Sequence, residues 1–266
     1  MIDNGSVDVG AEPAFAASFG ALERWDGRRG PGNLNVWTCM DRAIALAREH
    51  GIGCVALANT TRWMRGGAYC WQAADAGVAS LCWTNTLANT PPWGATEPRI
   101  GNNPLVVAVP RAAGHVVLDM AMSQFSVGAL IAHWHRREPL PVPGGFDAAG
   151  EAATDARTIL DSKRLLPIGY WKGSGLALML DLLAAGLSGG RATYQIDLDP
   201  DREVGLSQVL IAFAHVDVVA DAVLAHFGSP AHAARYPGER VQAARERSLR
   251  DGVEVDENVW QEVQAL

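Results

Sequence analysis

Gly169-Tyr170-Trp171-Lys172-Gly173-Ser174-Gly175 is a glycine-rich turn with one lysine, and it runs directly into the apolar segment 176–187. A turn that feeds a helix presents free backbone N–H groups and the positive end of the helix dipole. With a lysine beside it, such a place suits a phosphate or a carboxylate. The alternative is a tight turn into a buried helix, and the spacing alone leaves both open.

The turn does not match either of the common phosphate-binding loops. Gly173 and Gly175 have the first spacing of the Rossmann fingerprint, but Leu178 stands where the third glycine belongs, and no clear strand precedes the turn. Lys172 comes before the glycines, whereas the lysine of a Walker A loop follows them. Any nucleotide site in this chain is therefore expected to be of another type.

Helical and strand patterns are mixed along the rest of the chain. Apolar residues follow a helical period from Val36 to a C-cap at Gly51. Further helices are expected over 68–76, 125–137, 173–187, 217–227, 239–250 and 258–266, and strands over 53–59, 78–85, 105–110, 115–121 and 207–214. Residues 1–20 read as an extended or loosely ordered lead-in, 25–32 as a turn cluster, 86–99 as a long loop and 139–154 as turn-rich. The pattern predicts one mixed α/β domain, either α/β or α+β.

Composition narrows the classes of function. The 266 residues are 48% hydrophobic, which is typical of a globular protein, and the net charge is −7 without a basic block. This argues against a nucleic-acid partner and against an anionic membrane surface. The apolar runs are interrupted, as by Asp181, and no basic segment precedes an apolar one at the N-terminus. A cytoplasmic location is the default expectation.

The cysteines give no metal or disulfide pattern. Cys39, Cys54, Cys70 and Cys82 lack C-x-x-C spacing and sit in apolar sequence. We expect buried, reduced thiols, with no bound metal. His133 and His135 are two apart in a predicted helix and do not share a face, so they do not suggest a metal pair.

Three charged residues are candidates for binding. Arg62 and Arg65 lie in a glycine-containing loop between a strand and a helix, where guanidinium groups can grip an oxyanion. Solvated loop arginines are the alternative. Asp119 interrupts the apolar run 116–121 and needs either a structural partner or a ligand hydroxyl.

Several short motifs occur in one order and together resemble the type-2 malate/L-lactate dehydrogenase family, which is separate from the Rossmann dehydrogenases. They are Ala43-Ile44 through Gly51-Ile52-Gly53, Gly101-Asn102-Asn103-Pro104, Leu118-Asp119-Met120-Ala121-Met122-Ser123, Lys172-Gly173-Ser174-Gly175 and Pro237-Gly238-Glu239-Arg240. The tryptophan-containing segments at 63–67, 82–85, 91–94 and 169–175 resemble a subgroup that reduces a sugar acid. The resemblance runs from about Gly20 to Leu266.

The resemblance implies an NAD(P)H-dependent reductase of a 2-oxo sugar acid, with a non-Rossmann α/β fold of the family's own. NADH is the expected cofactor, with NADPH left open, and the family is usually dimeric with the cofactor near the subunit interface. Carried over by motif, the cofactor contacts are His115, Val116, Val117, Leu118, Asp119, Met120, Ala121, Trp171, Lys172, Gly238, Glu239 and Arg240. Arg62 and Arg65 are the expected clamp on the substrate carboxylate.

The chain departs from the family pattern at two positions. The family's general acid is a histidine in a Ser-His-Gly motif on an N-terminal helical segment, and this sequence contains no Ser-His-Gly. Arg62 also replaces the histidine that usually precedes the position of Trp63. We therefore expect residues 1–266 to be a single family domain without that segment, and the catalytic acid is unassigned.

Two other hypotheses follow from the missing histidines. One is a catalytically impaired homologue that binds a nucleotide or a sugar acid without turnover, and the other is a structural partner of a longer paralogue. Nine tryptophans, several of them in predicted loops, favour a contact surface and a homodimer.

Overall fold

A computed structural model describes residues 1–216, 219–228, 234–255 and 257–265. The strands are β1 (Ala14–Phe19), β2 (Leu22–Asp26), β3 (Ile52–Thr60), β4 (Ala79–Thr84), β5 (Leu105–Val109), β6 (Val116–Met120), β7 (Gly145–Phe146), β8 (Ala152–Ala153) and β9 (Leu206–Phe213). The helices are α1 (Gly32–His50), α2 (Gly67–Asp75), α3 (Val127–Arg136), α4 (Ala156–Ser162), α5 (Trp171–Ser188), α6 (Ala220–Phe227), α7 (Glu239–Asp251) and α8 (Glu257–Gln264).

A seven-stranded mixed sheet forms the centre, in the order β1-β2-β3-β9-β4-β5-β6. Among the described strands only β2 and β3 pair in parallel. The long strands β3 and β9 lie in the middle and are buried on both faces, which explains why they read as continuous apolar runs.

Helices cover both faces of the sheet. Alternate residues of β3 point to opposite sides, so Val55 and Leu57 pack with α1 and α2, whereas Ala56 packs with α5. On the α5 side, Ala177, Leu180 and Ala184 form the buried stripe. The arrangement is a three-layer α/β/α sandwich.

A smaller unit stands beside the sheet. Helices α3 and α4 and the two-stranded sheet β7-β8 surround a separate apolar cluster that contains Leu130, Leu140, Ile159 and Leu165. Ser126 and Asp155 cap the two helices by accepting the backbone N–H of Ala129 and Thr158. This unit supplies one wall of the site described below.

The mixed α/β prediction and most of its elements are confirmed, but three segments also contain short strands that were not predicted. The lead-in contains β1, which pairs with β2, and the predicted turn cluster begins inside β2. The turn-rich segment contains β7 and β8, and α4 follows it unpredicted. All of these are short or mostly exposed, so the hydrophobic pattern that marks a buried element is weak.

Of the helix predicted over 217–227, the described residues contain Ala220–Phe227. Residues 217 and 218 lie outside the described part of the chain. Of the helices described, none is both long enough and apolar enough to cross a bilayer.

Candidate active site

A cavity of about 930 Å³ lies between the loop that follows β3, the ends of β4 and β6, and the α3–α4 unit. Its wall is apolar where Trp63, Val127 and Ile159 face it. Its polar lining consists of Arg62, Arg65, Thr84, Thr86, Asn89, Asn102, Asp119, Ser126, Lys163 and Glu203. Three cations and two carboxyl groups make the lining net positive, which suits an anionic ligand.

Asp119, near the end of β6, is one of the two acids of this cavity, and its side chain is 30% exposed. Its Oδ2 accepts the backbone N–H of Gly67 at 3.0 Å, and the Nε of Arg65 lies 3.9 Å from the same oxygen. Burial raises the pKa of Asp119 above its usual range, against the lowering effect of the Gly67 hydrogen bond and of Arg65. Asp119 therefore has a structural partner, the N-terminus of α2, which is one of the two alternatives that the sequence left open.

Glycine at the start of α2 allows the carboxylate of Asp119 to approach closely. A Cβ built on Gly67 would lie 2.7 Å from Oδ2 of Asp119, so a side chain there would force that carboxylate to move. The Gly66-Gly67 pair therefore lets the positive end of α2 meet the carboxylate. Of the two loop arginines, Arg65 lies near that carboxylate, whereas Arg62 pairs with another acid of the cavity lining.

Arg62 forms an ion pair with Glu203, a residue that the sequence did not single out. Glu203 is buried, and its other carboxyl oxygen accepts the backbone N–H of Leu87 at 2.9 Å. The pair fixes Arg62 in the cavity wall. The two residues are 141 positions apart, and no local pattern links them.

Lys163 and two asparagines were also missed as site residues. Lys163 follows α4, and its Nζ donates to the carbonyl of Leu198 at 3.3 Å. The Oδ1 of Asn102 accepts Thr86 Oγ1 at 3.1 Å and Asn89 Nδ2 at 3.2 Å. Asn102 belongs to one of the short motifs quoted above, which was the available signal.

The structure brings strand β6 and the 238–240 segment together. Val117 donates its N–H to the carbonyl of Pro237 at 3.0 Å, and Gly238 has a φ of +93°. A Cβ on Gly238 would lie 3.0 Å from the nitrogen of Val117. Glycine is therefore needed for this close approach of α7 to the strand.

Not every residue expected at the site lines the cavity. Of residues 115–121, Asp119 and Ala121 line it, whereas His115 lies at the far end of β6 and pairs with Asp75 at 3.0 Å.

Trp171 and Lys172 open helix α5, and the Trp171 side chain is 65% exposed. Within this chain they stand apart from the cavity. The glycine-rich turn expected over 169–175 is shorter in the structure, because Gly169 and Tyr170 have positive φ and α5 already begins at Trp171. The anion site expected at this turn stays a prediction. Gly173 is needed where α5 packs against the preceding turn, because a Cβ there would lie 2.2 Å from the carbonyl oxygen of Ile168.

The cysteines are free, as expected, and three of the four are buried while Cys54 is half-buried. Burial raises the pKa of Cys39 to about 12 and that of Cys54 to about 11, so both remain thiols at neutral pH. Across the part of the chain that the structure describes, no three His, Cys, Asp or Glu side chains are grouped to hold a metal ion.

Comparison with known proteins identifies close relatives. The chain is 43% identical to the 2,3-diketo-L-gulonate reductase of Citrobacter koseri and 42% identical to that of Escherichia coli strain SE11. Both matches cover 100% of this chain and 84% of the relative.

Solved structures agree with this relationship. The δ1-piperideine-2-carboxylate reductase of Pseudomonas syringae matches with a TM-score of 0.88 at 27% identity, over 99% of this chain and 82% of the other. A malate/lactate dehydrogenase-like protein of E. coli matches with a TM-score of 0.86 at 27% identity, over 98% and 77%. The malate/L-lactate dehydrogenase family itself matches residues 1–264. The chain therefore belongs to the malate/L-lactate dehydrogenase family of oxidoreductases.

Proposed function

We propose that this chain reduces a 2-oxo sugar acid with NADH, and that 2,3-diketo-L-gulonate is the substrate to test first. The observation that carries the proposal is the cavity. It joins Asp119, on the strand expected to contact the cofactor, to Arg62 and Arg65, the arginines expected to hold a substrate carboxylate. The relatives at 42–43% identity support the choice of substrate.

The lining matches the chemistry of a sugar acid. A cavity of about 930 Å³ is within the usual range for small-molecule sites. Arg65 is assigned to the substrate carboxylate. Arg62, which is fixed by its ion pair with Glu203, is the second arginine of the same cavity lining. The side chains of Asn89, Asn102 and the neighbouring threonines offer donors and acceptors for hydroxyl groups.

The residues assigned to the cofactor fit a nicotinamide dinucleotide. When bound, the cofactor supplies the hydride for reduction of the ketone. Among the described residues Asp119 uses only Oδ2 for its hydrogen bond and ion pair, which leaves Oδ1 as an acceptor for a ribose hydroxyl. Arg240, at the start of α7, and Lys172, at the start of α5, are exposed cations at helix N-termini, a setting suited to phosphate.

We also propose a homodimer. Helix α5 is mostly apolar, and the side away from its buried stripe exposes Leu178, Met179, Leu182 and Leu183. An exposed apolar patch of this kind is typical of an interaction surface. A second copy of this chain is the occupant assigned to it, because the exposed Trp171 and Lys172, expected at a cofactor site near a subunit interface, begin the same helix.

The proposal is tested by oxidation of NADH in the presence of 2,3-diketo-L-gulonate, with NADPH as the alternative cofactor and pyruvate as the alternative 2-oxo acid. We expect turnover that depends on both the sugar acid and NADH. Turnover with pyruvate but not with the sugar acid would contradict the substrate assignment. If calorimetry showed binding of neither NADH nor NADPH, the proposal as a whole would be contradicted.

A further inference from the structure

Asp75, the last residue of α2, joins three elements outside the cavity. Its Oδ1 lies 3.0 Å from Nε2 of His115, at the start of β6. Its Oδ2 accepts Nη2 of Arg245, in the middle of α7, at 2.7 Å. Hydrogen bonding to Arg245, with a further contribution from His115, lowers the pKa of Asp75, so the group stays ionised at neutral pH.

Trp71, one helical turn earlier on α2, packs against two of these side chains. The guanidinium of Arg245 lies 5.0 Å from the Trp71 ring centroid, and the rings of His115 and Trp71 are 5.4 Å apart. Trp71 is buried, so it gives Arg245 and His115 a fixed surface against which to pack. The cluster is therefore more ordered than an isolated surface ion pair.

Arg245 belongs to α7, the helix whose N-cap is Gly238. Arg245 lies seven residues beyond Gly238, about 10 Å along the helix. At its start α7 touches β6 through the bond from Val117 to Pro237. Nearby, Gln242 packs beside Gly114 in the β5–β6 turn. Asp75 thus contacts, directly or through Arg245, two of the three segments that the proposed function assigns to the cofactor.

We propose that Asp75 is a positioning residue for the nicotinamide cofactor, because it holds α7 against β6 and so keeps Gly238, Glu239 and Arg240 beside the strand. Asp75 does not line the cavity and has no role in the chemistry. The inference rests on the proposed function, since it presumes that these segments bind the cofactor.

Asp75→Ala and Arg245→Lys in the full chain test the inference with two measurements. Calorimetry should show NADH binding weakened about tenfold by Asp75→Ala, and less by Arg245→Lys, which keeps the charge but loses the paired hydrogen bonds. Hydrogen exchange without cofactor should show faster exchange of the 239–251 amides in Asp75→Ala. Asp75→Glu should recover most of the affinity, which loss of packing alone does not predict.

Asp251→Asn is the matched control, since it removes a carboxylate paired with Arg250 at the other end of the same helix. It should change neither measurement. Unchanged NADH affinity in Asp75→Ala, or unchanged exchange of α7, would overturn the inference while leaving the proposed function intact. A wild-type chain that binds neither NADH nor NADPH would refute the proposed function and this inference together.

Discussion

The backbone N–H of Gly67 donates to the carboxylate of Asp119 at 3.0 Å, and a side chain at Gly67 would collide with that oxygen. This contact joins the first residue of α2 to strand β6 at the wall of the cavity. It offers the partly exposed carboxylate the positive end of a helix, which offsets part of the desolvation that raises the pKa of Asp119. The two glycines that follow Arg65 therefore both form the turn into α2 and allow the contact with Asp119 at the cavity wall.

Replacement Gly67→Ala should displace the Asp119 carboxylate, because the new Cβ would lie 2.7 Å from it. We expect a loss of stability of about 1–3 kcal/mol from overpacking and weaker NADH binding. Urea unfolding and calorimetry measure the two effects. Gly10→Ala is the control, since its nearest neighbour would be a side-chain oxygen at 3.7 Å. Equal NADH affinity in the two variants would contradict the role given to this contact.

Local sequence was enough to find the part of the site that lies on continuous segments. Arg62, Arg65 and Asp119 stand out because each is a charge beside glycines or inside an apolar strand, and the structure places all three at one cavity. The mixed α/β fold was predictable for the same reason, since β3, β9 and α1 carry strong apolar patterns.

The rest depends on contacts between distant segments. Glu203 meets Arg62 across 141 residues and follows a polar turn that resembles any surface loop. Lys163 reaches the cavity only because α4, a helix of seven residues in a turn-rich region, packs on α3. Neither placement leaves a periodic signal in the sequence. Trp171 and Lys172 remain predictions, because they stand away from the cavity within one chain.

Glu23→Gln should destabilise the fold in a pH-dependent way. Glu23 is buried on β2 and accepts Arg42 Nη2 at 2.6 Å and Trp25 Nε1 at 2.9 Å, and the hydrogen bond from Arg42 lowers the pKa of Glu23. Because the pKa is lowered on folding, the stabilisation is complete above about pH 4.3 and is lost as the pH falls through the lowered value. The variant should lose about 1–3 kcal/mol at neutral pH.

The measurement is urea unfolding at neutral pH and at about pH 3, where the difference between wild type and Glu23→Gln should shrink. Glu97→Gln removes a carboxylate from an exposed pair with Arg99 and should have little effect at either pH. A Glu23→Gln penalty that stays constant with pH would show that the charge of Glu23 does not stabilise the fold.

Arg65→Met should raise the KM for 2,3-diketo-L-gulonate by about 10–100-fold, because a charge-assisted hydrogen bond to the carboxylate is lost. The value of kcat should change less, since a carboxylate clamp holds substrate and transition state alike. Steady-state kinetics at saturating NADH measures both. Arg99→Met, at an exposed arginine outside the cavity, is the control. If Arg65→Met weakened only NADH binding, the role of Arg65 would be to support Asp119 at the cofactor site and not to bind the substrate carboxylate.

Leu182→Glu should separate the proposed homodimer. Leu182 lies on the outer side of α5 and is 56% exposed in the single chain, so a glutamate there is tolerated by the monomer but places a charge in an apolar interface. Light scattering should give twice the 28.3 kDa chain mass for the wild type and the chain mass for the variant. Leu249→Glu, at a more exposed leucine on α7, should leave the dimer intact. A dimer that survives Leu182→Glu would place the interface elsewhere, and a wild type that runs as a 28.3 kDa monomer would refute the dimer.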